Sequence, residues 1–278
     1  MSVEKRIGWI LAVVVSVASA RGQISDTGGR DRPIPPSPPG SEGRGRLAAD
    51  DWQRRLRSLD LDLRRGDWKA AHGKSQDVVR EMFDRIIDGE GAAPLLAMAM
   101  LLRGVSSAGL GDRDAGLWDW YAAQSLFPAF RDTDLSPYGE VGKLFAEHRV
   151  GADGGWPAAA HAGQDPPAPP AGAESGGAPA GPPDVKPPKL LRKKEPAYPR
   201  AIARLCREGR VVVASVIEDS GAVSFPIVRQ AGDSPVMTLS TLEALRDWRF
   251  EPARFEGKPV RVFYTLTVTY MAPACRRH

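Results

Sequence analysis

At 278 residues the chain is long enough for two small domains and a linker, and its 42% hydrophobic and 26% charged content supports folded regions. Net charge is only +4, and much of the excess falls between Lys186 and Arg210. That is local electrostatics toward an anionic surface or a solvated flank, without the basic face and interleaved aromatics of a nucleic-acid reader.

The N-terminus carries Lys5 and Arg6, then an apolar run from Ile7 to Ala18, then Ala18-Ser19-Ala20 before Arg21. These are the three parts of a secretory signal, and the run is shorter than the roughly 20 apolar residues of a spanning helix. Residues 1–20 are therefore read as a cleaved signal peptide, with a retained anchor as the alternative. Residues 21–46 follow as a disordered spacer, with Pro33, Pro35, Pro36, Pro38 and Pro39 among Gly, Ser and charges.

Residues 47–149 read as helical. Leu56, Leu59 and Leu63 make one apolar stripe. Gly66-Asp67 breaks that helix, and Trp68 opens a second with Val78, Val79, Met82, Phe83 and Ile86 on its apolar face. The stretch Ala92 to Ala108 is apolar nearly all round, which places it centrally, with Arg103 interrupting it. Gly111-Asp112 turns the chain into a fourth helix carrying Leu117, Trp118, Tyr121 and Leu126. A last helix spans Ser136 to Glu147.

Residues 150–194 read as a Pro/Gly-rich linker. Pro166-Pro167-Ala168-Pro169-Pro170 favours stiff polyproline II, and a segment of this length reaches on the order of 100 Å when extended.

Residues 195–272 read as an α+β domain. Pro199 opens a helix with Ala201, Ile202, Leu205 and Cys206 on one face, and Gly209 ends it. Arg210 to Ile217 is an internal strand, Asp219-Ser220-Gly221 a hairpin turn, and Ala222 to Gln230 the returning strand. Pro226 cannot donate to a ladder, so that strand is expected at an edge. Val236 to Trp248 is a helix, and Val260 to Tyr270 a closing strand. In that strand Val260, Val262, Tyr264, Leu266, Val268 and Tyr270 face one way. Two helices then lie on one face of a three-stranded antiparallel sheet, joined by the linker to an all-α, helical-repeat-like domain. Residues 273–278 are a tail.

The motifs Tyr198-Pro199, Gly209-Arg210-Val211-Val212-Val213, Asp219-Ser220-Gly221-Ala222-Val223, Trp248-Arg249-Phe250-Glu251-Pro252-Ala253 and Gly257-Lys258-Pro259-Val260 run in order. With the closing strand they resemble the TonB C-terminal domain. The helical region, through Leu110-Gly111-Asp112-Arg113-Asp114-Ala115 with Ala122 and Pro128, resembles part of a tetratricopeptide repeat; a plain helical bundle is the alternative. The TonB resemblance implies docking of outer-membrane receptors by strand addition at Val260 to Tyr270, with Glu195, Pro196, Tyr198 and Pro199 as further contacts. It places Trp248 and Phe250 in the core. It also implies a periplasmic location in a Gram-negative-type bacterium, and inner-membrane motor proteins as partners if the N-terminus stays anchored. A secreted, non-energised interaction module is the alternative. The ligand of the helical region is not named by any motif.

No enzyme motif stands out. His72, His148, His161 and His278 form no metal-ligand spacing, and neither a P-loop nor a G-x-S-x-G occurs. The expectation is a non-enzyme with no cofactor and no metal. Cys206 and Cys275 are a disulfide candidate in an oxidising compartment, with two separate thiols as the equal alternative.

Overall fold

The computed structural model describes residues 41–85, 92–151, 185–198 and 207–271. The N-terminal segment, Ile86, most of the linker, Pro199, the expected helix with Cys206, and the tail with Cys275 lie outside the described residues.

The first half is helical. Helices α1 (Ser41–Arg64) and α2 (Trp68–Arg85) form one antiparallel pair, and α3 (Ala92–Gly109) and α4 (Arg113–Leu126) a second. Helix α1 starts inside the segment read as spacer. Both pairs turn by the same device. Gly66 and Gly111 take left-handed backbone, at φ 81° and 96°, which ends the preceding helix at little steric cost. The next residue is Asp, and its carboxylate accepts a helix-opening N–H: Ala70 to Asp67 at 3.3 Å, Ala115 to Asp112 at 3.0 Å. The recurrence is real, but the two turns stand further apart than the roughly 34 residues of a tetratricopeptide unit.

Helix α3 is buried on nearly every side, as its all-round apolar pattern predicts. It is long and apolar enough to cross a membrane, but most of it is buried inside the protein. A 3₁₀ turn at Ser136–Tyr138, with Pro137 in its first turn, leads into α5 (Gly139–Glu147). The Trp120 indole stacks on Phe145 with centroids 5.5 Å apart and donates to the Phe145 carbonyl, which ties α5 to α4.

The second half is built on sheets. Strands β3 (Gly209–Ile217), β4 (Val223–Gln230) and β8 (Val262–Tyr270) form an antiparallel sheet in the order β4-β3-β8. Helix α6 (Pro235–Leu245) covers one face, with Val236, Met237, Leu239, Leu242 and Leu245 buried against Val211, Val213 and Ile217. Strand β4 lies at an edge, as Pro226 requires.

Two expectations are corrected. Residues 185–194 are not linker. Instead β1 (Val185–Lys186) pairs with β6 (Ala253–Phe255), and β2 (Lys189–Arg192) pairs with β5 (Arg249–Glu251). All four side chains of β2 are exposed, so no hydrophobic alternation marks it; backbone pairing holds it, together with the Arg192 guanidinium, which donates to the Asp247 carbonyl. The closing strand was expected from Val260. It divides at Arg261: β7 (Lys258–Val260) turns back on β6 through Glu256-Gly257, and β8 begins at Val262.

The two halves share one core. A continuous set of buried apolar side chains runs from Trp52 in α1 to Tyr270 in β8. Helix α4 packs along β4, and α3 and α4 also meet α6.

Candidate functional site

Strand β8 lies at one margin of the sheet. It pairs with β3 along its whole length, from Val262 opposite Ile217 to Tyr270 opposite Gly209. Among the described residues its other side has no ladder partner. Nine residues at about 3.3 Å each offer roughly 30 Å of unpaired backbone. Thr265, Thr267 and Thr269 are exposed, while Leu266, Val268 and Tyr270 are buried. The polar, β-branched threonines keep the strand extended without adding an apolar surface.

The sequence-derived site residues divide accordingly. Leu266 and Val268 face the core under α6, and Val262 and Tyr264 are half-buried against it. Their side chains are therefore fold-forming, and what remains for a partner along this strand is its backbone and the threonine face. Val260 sits on β7, outside the long strand.

The segment before Pro199 lies along the same end of the domain. Trp248 donates its indole N–H to the Lys194 carbonyl at 2.8 Å. Lys194 pairs with Asp247 at 2.5 Å, and that ammonium holds the Asp247 carboxyl below the usual carboxylate range. Ser240 donates to the Ala197 carbonyl. The Tyr198 hydroxyl donates to the Arg207 carbonyl, and its ring meets Tyr270 edge-on at 5.8 Å. Tyr270 in turn donates to the Met237 carbonyl at 3.0 Å and lies 2.9 Å from the Thr241 hydroxyl. Tyr198 thus braces the end of β8 against α6. Glu195 is exposed and paired with Lys193 at 2.8 Å, and Pro196 is half-buried. Trp248 and Phe250 are buried, 4% exposed each.

The opposite margin of the sheet differs. Pro226 in β4 has no N–H, and the Val228 N–H donates to the Ser125 hydroxyl of α4 at 3.3 Å. Phe225 adopts a left-handed φ of 48°, rare for a bulky residue, and its ring packs on Tyr121 at 5.4 Å. On the other face Arg103 of α3 meets Glu243 of α6. Sequence reasoning missed this seam. Its one signal was a charge inside an otherwise apolar helix at Arg103, which demands a buried partner.

His72 bonds Ser106 and Gln76, and His148 bonds the Leu144 carbonyl. Among the described residues no three metal-ligating side chains gather. A cleft of about 290 Å³ lies between α2, α6 and the strap at Lys194–Ala197, lined by Val79, Phe83, Arg103, Leu239 and Glu243.

Comparison with known proteins bears on the second half alone. Residues 194–271 match the family described as Gram-negative bacterial TonB protein C-terminal. A solution NMR structure of the Pseudomonas aeruginosa TonB C-terminal domain is similar at 29% identity, over 34% of this chain and 91% of that one, with a TM-score of 0.27. No curated protein matches the chain. Residues 194–271 are thus similar to the TonB C-terminal domain.

Proposed function

We propose that the protein is a TonB-like envelope component that docks outer-membrane receptors by strand addition at β8 and supports energy-coupled transport. The observation that carries this is the margin of β8, which has no ladder partner among the described residues, within a segment similar to the TonB C-terminal domain. An extended segment of a receptor would pair with the β8 backbone, and main-chain bonds would supply affinity with little side-chain demand. Glu195, Pro196, Tyr198 and Pro199 would contact the receptor next to that strand. A signal-like start and a Pro-rich segment in the sequence support a place in the periplasm of a Gram-negative-type bacterium.

Coupling to inner-membrane motor proteins requires that the N-terminal segment stay in the membrane. The Ala18-Ser19-Ala20 site before Arg21 favours a second reading, in which the chain is cleaved and acts as a periplasmic interaction module without energising its partner. N-terminal sequencing of the mature protein separates the two: a chain starting at Arg21 removes motor coupling.

The docking step is tested by cysteines placed at Thr265, Thr267 and Thr269 and crosslinked in cells, with the captured chains identified by mass spectrometry. Crosslinks to an outer-membrane receptor are expected. Labelled cysteines that capture nothing, in a folded and exported chain, reject strand addition at β8.

A further inference from the structure

We infer that the helical half is a fixed cover for the β4 margin of the central sheet, so that this sheet, among the described residues, presents only its β8 margin to an incoming strand. A small sheet has two margins, and each is a template for another chain. Here the β4 margin is closed from three directions. Its backbone is short of donors, because Pro226 has none and Val228 spends its N–H on Ser125. One face is covered where Tyr121, Val150 and Ile227 cluster with Leu117 and Phe225. The other is held where Arg103 reaches Glu243 on α6. Val228 shares the face of Val213 and Ile227 that of Ala214, so α4 meets the Ile227 face through Tyr121 and Leu117 and the margin itself through Ser125.

The unusual backbone at Phe225 fits this cover. A bulge between the Ala214–Ile227 and Val216–Ser224 pairs interrupts the ladder at Phe225-Pro226, and the Phe225 ring packs on α4. A bulge both ends regular pairing and re-aims a side chain. The sheet has given up ladder continuity at that point for a contact with the helical half.

The consequence concerns specificity. A domain with two open margins can pair with its own copies or take a partner on the wrong side. With β4 covered, docking on the central sheet has one side. The second half of this inference rests on the docking reading above; the cover itself does not.

The test is amide exchange by NMR on the full chain. In wild type the Val228 amide is expected to exchange slowly. Ser125→Ala, which removes one hydroxyl, should speed it about tenfold or more, and Ser125→Thr should restore protection. The Val213 amide, in the same ladder, should not change. A Val228 amide that exchanges at the free-chain rate in wild type overturns the cover. So does an increase in step at Val213, which would be general loosening. Loss of Thr267 crosslinks with Val228 still protected would sink docking and leave the cover standing.

Discussion

Arg103 and Asp119 are joined by two parallel hydrogen bonds of 2.7 Å each, and Arg103 then extends to Glu243 in the other half of the protein. The Asp119 side chain is 1% exposed and that of Glu243 38%, so one guanidinium serves a buried and a half-open carboxylate. Burial pushes Asp119 above the usual carboxylate range, against the pull of Arg103, while the carboxylates hold Arg103 charged against the same burial.

Removal of each partner should therefore cost differently. Arg103→Met leaves a buried carboxylate without its cation and should destabilise by about 3–5 kcal/mol. Glu243→Gln removes only the solvent-screened arm and should cost less than about 1 kcal/mol. The sign with pH is also set. A carboxyl with a raised folded pKa favours the fold fully below its unfolded value, and that contribution fades as pH rises through the folded value. The Arg103→Met deficit should accordingly shrink toward about pH 4, the unfolded carboxyl value. Urea unfolding of both variants at several pH values decides this; equal losses at neutral pH would show that Asp119 is not the costly group.

Tyr121 gives a test of opposite direction. Its hydroxyl is buried without a hydrogen-bond partner among the described residues, and burial raises its pKa. The ring makes the seam contact, and the hydroxyl adds an uncompensated desolvation cost. Tyr121→Phe is expected to be neutral or to stabilise by about 1 kcal/mol, whereas Tyr121→Ala should cost about 3 kcal/mol or more. Thermal unfolding measures both, and a Tyr121→Phe loss above about 1 kcal/mol would reveal a hidden partner for the hydroxyl.

The central sheet was legible because its signals are local. The Val211-Val212-Val213 run, the Ser220-Gly221 turn and the all-round apolar α3 each carry their own pattern. The seam carried only the lone charge at Arg103, which names no partner, because Arg103 and Glu243 are 140 positions apart and Ser125 and Val228 are 103 apart. Strands β1 and β2 were hidden for another reason. Leu190 and Leu191 sit among lysines and arginines in a strand exposed on both faces, so composition read as linker. The division at Arg261 was also invisible: the residue alternation is unbroken, and only the return of β7 on β6 ends the pairing.

Gly221 and Gly257 share a φ of 79° but not their surroundings. A Cβ on Gly221 would fall 1.9 Å from the Phe250 carbonyl oxygen, which is backbone and cannot move aside alone. Nothing lies within 4 Å of a Cβ on Gly257. Ala at 257 should cost only the left-handed penalty of about 1–2 kcal/mol. Ala at 221 adds a clash and the loss of the bond from the Phe250 N–H to the Gly221 carbonyl at 2.8 Å, so it should cost clearly more. Equal losses in denaturant unfolding would remove the close approach as the reason for Gly221.

The strap that ends at Tyr198 should respond to acid. Lys194 lowers the Asp247 pKa by a direct hydrogen bond. A carboxyl lowered in the fold stabilises above its unfolded value, and the contribution is lost as pH falls through the folded value. Amide exchange in residues 189–197, corrected for the intrinsic pH effect, should therefore rise relative to β3 as the pH is taken down through the carboxylate range. Asp247→Asn should abolish the pH dependence while leaving the Trp248 bond to Lys194 in place. An unchanged acid response in that variant would assign the release to another group.

On β8 the backbone and the side chains can be separated. Thr267 is exposed, so Thr267→Ala should alter stability by no more than about 0.5 kcal/mol. If main-chain pairing carries docking, it should also leave capture of a receptor segment by β8 nearly unchanged. Leu266, 6% exposed under α6, should cost about 2–5 kcal/mol when cut to Ala. Any docking loss in Leu266→Ala should then follow the fraction unfolded and recover at lower temperature or with a compensating stabiliser. Binding measured beside unfolding in the same samples distinguishes the cases. A folded Leu266→Ala protein that no longer docks would return that side chain to the interface and contradict its place in the core.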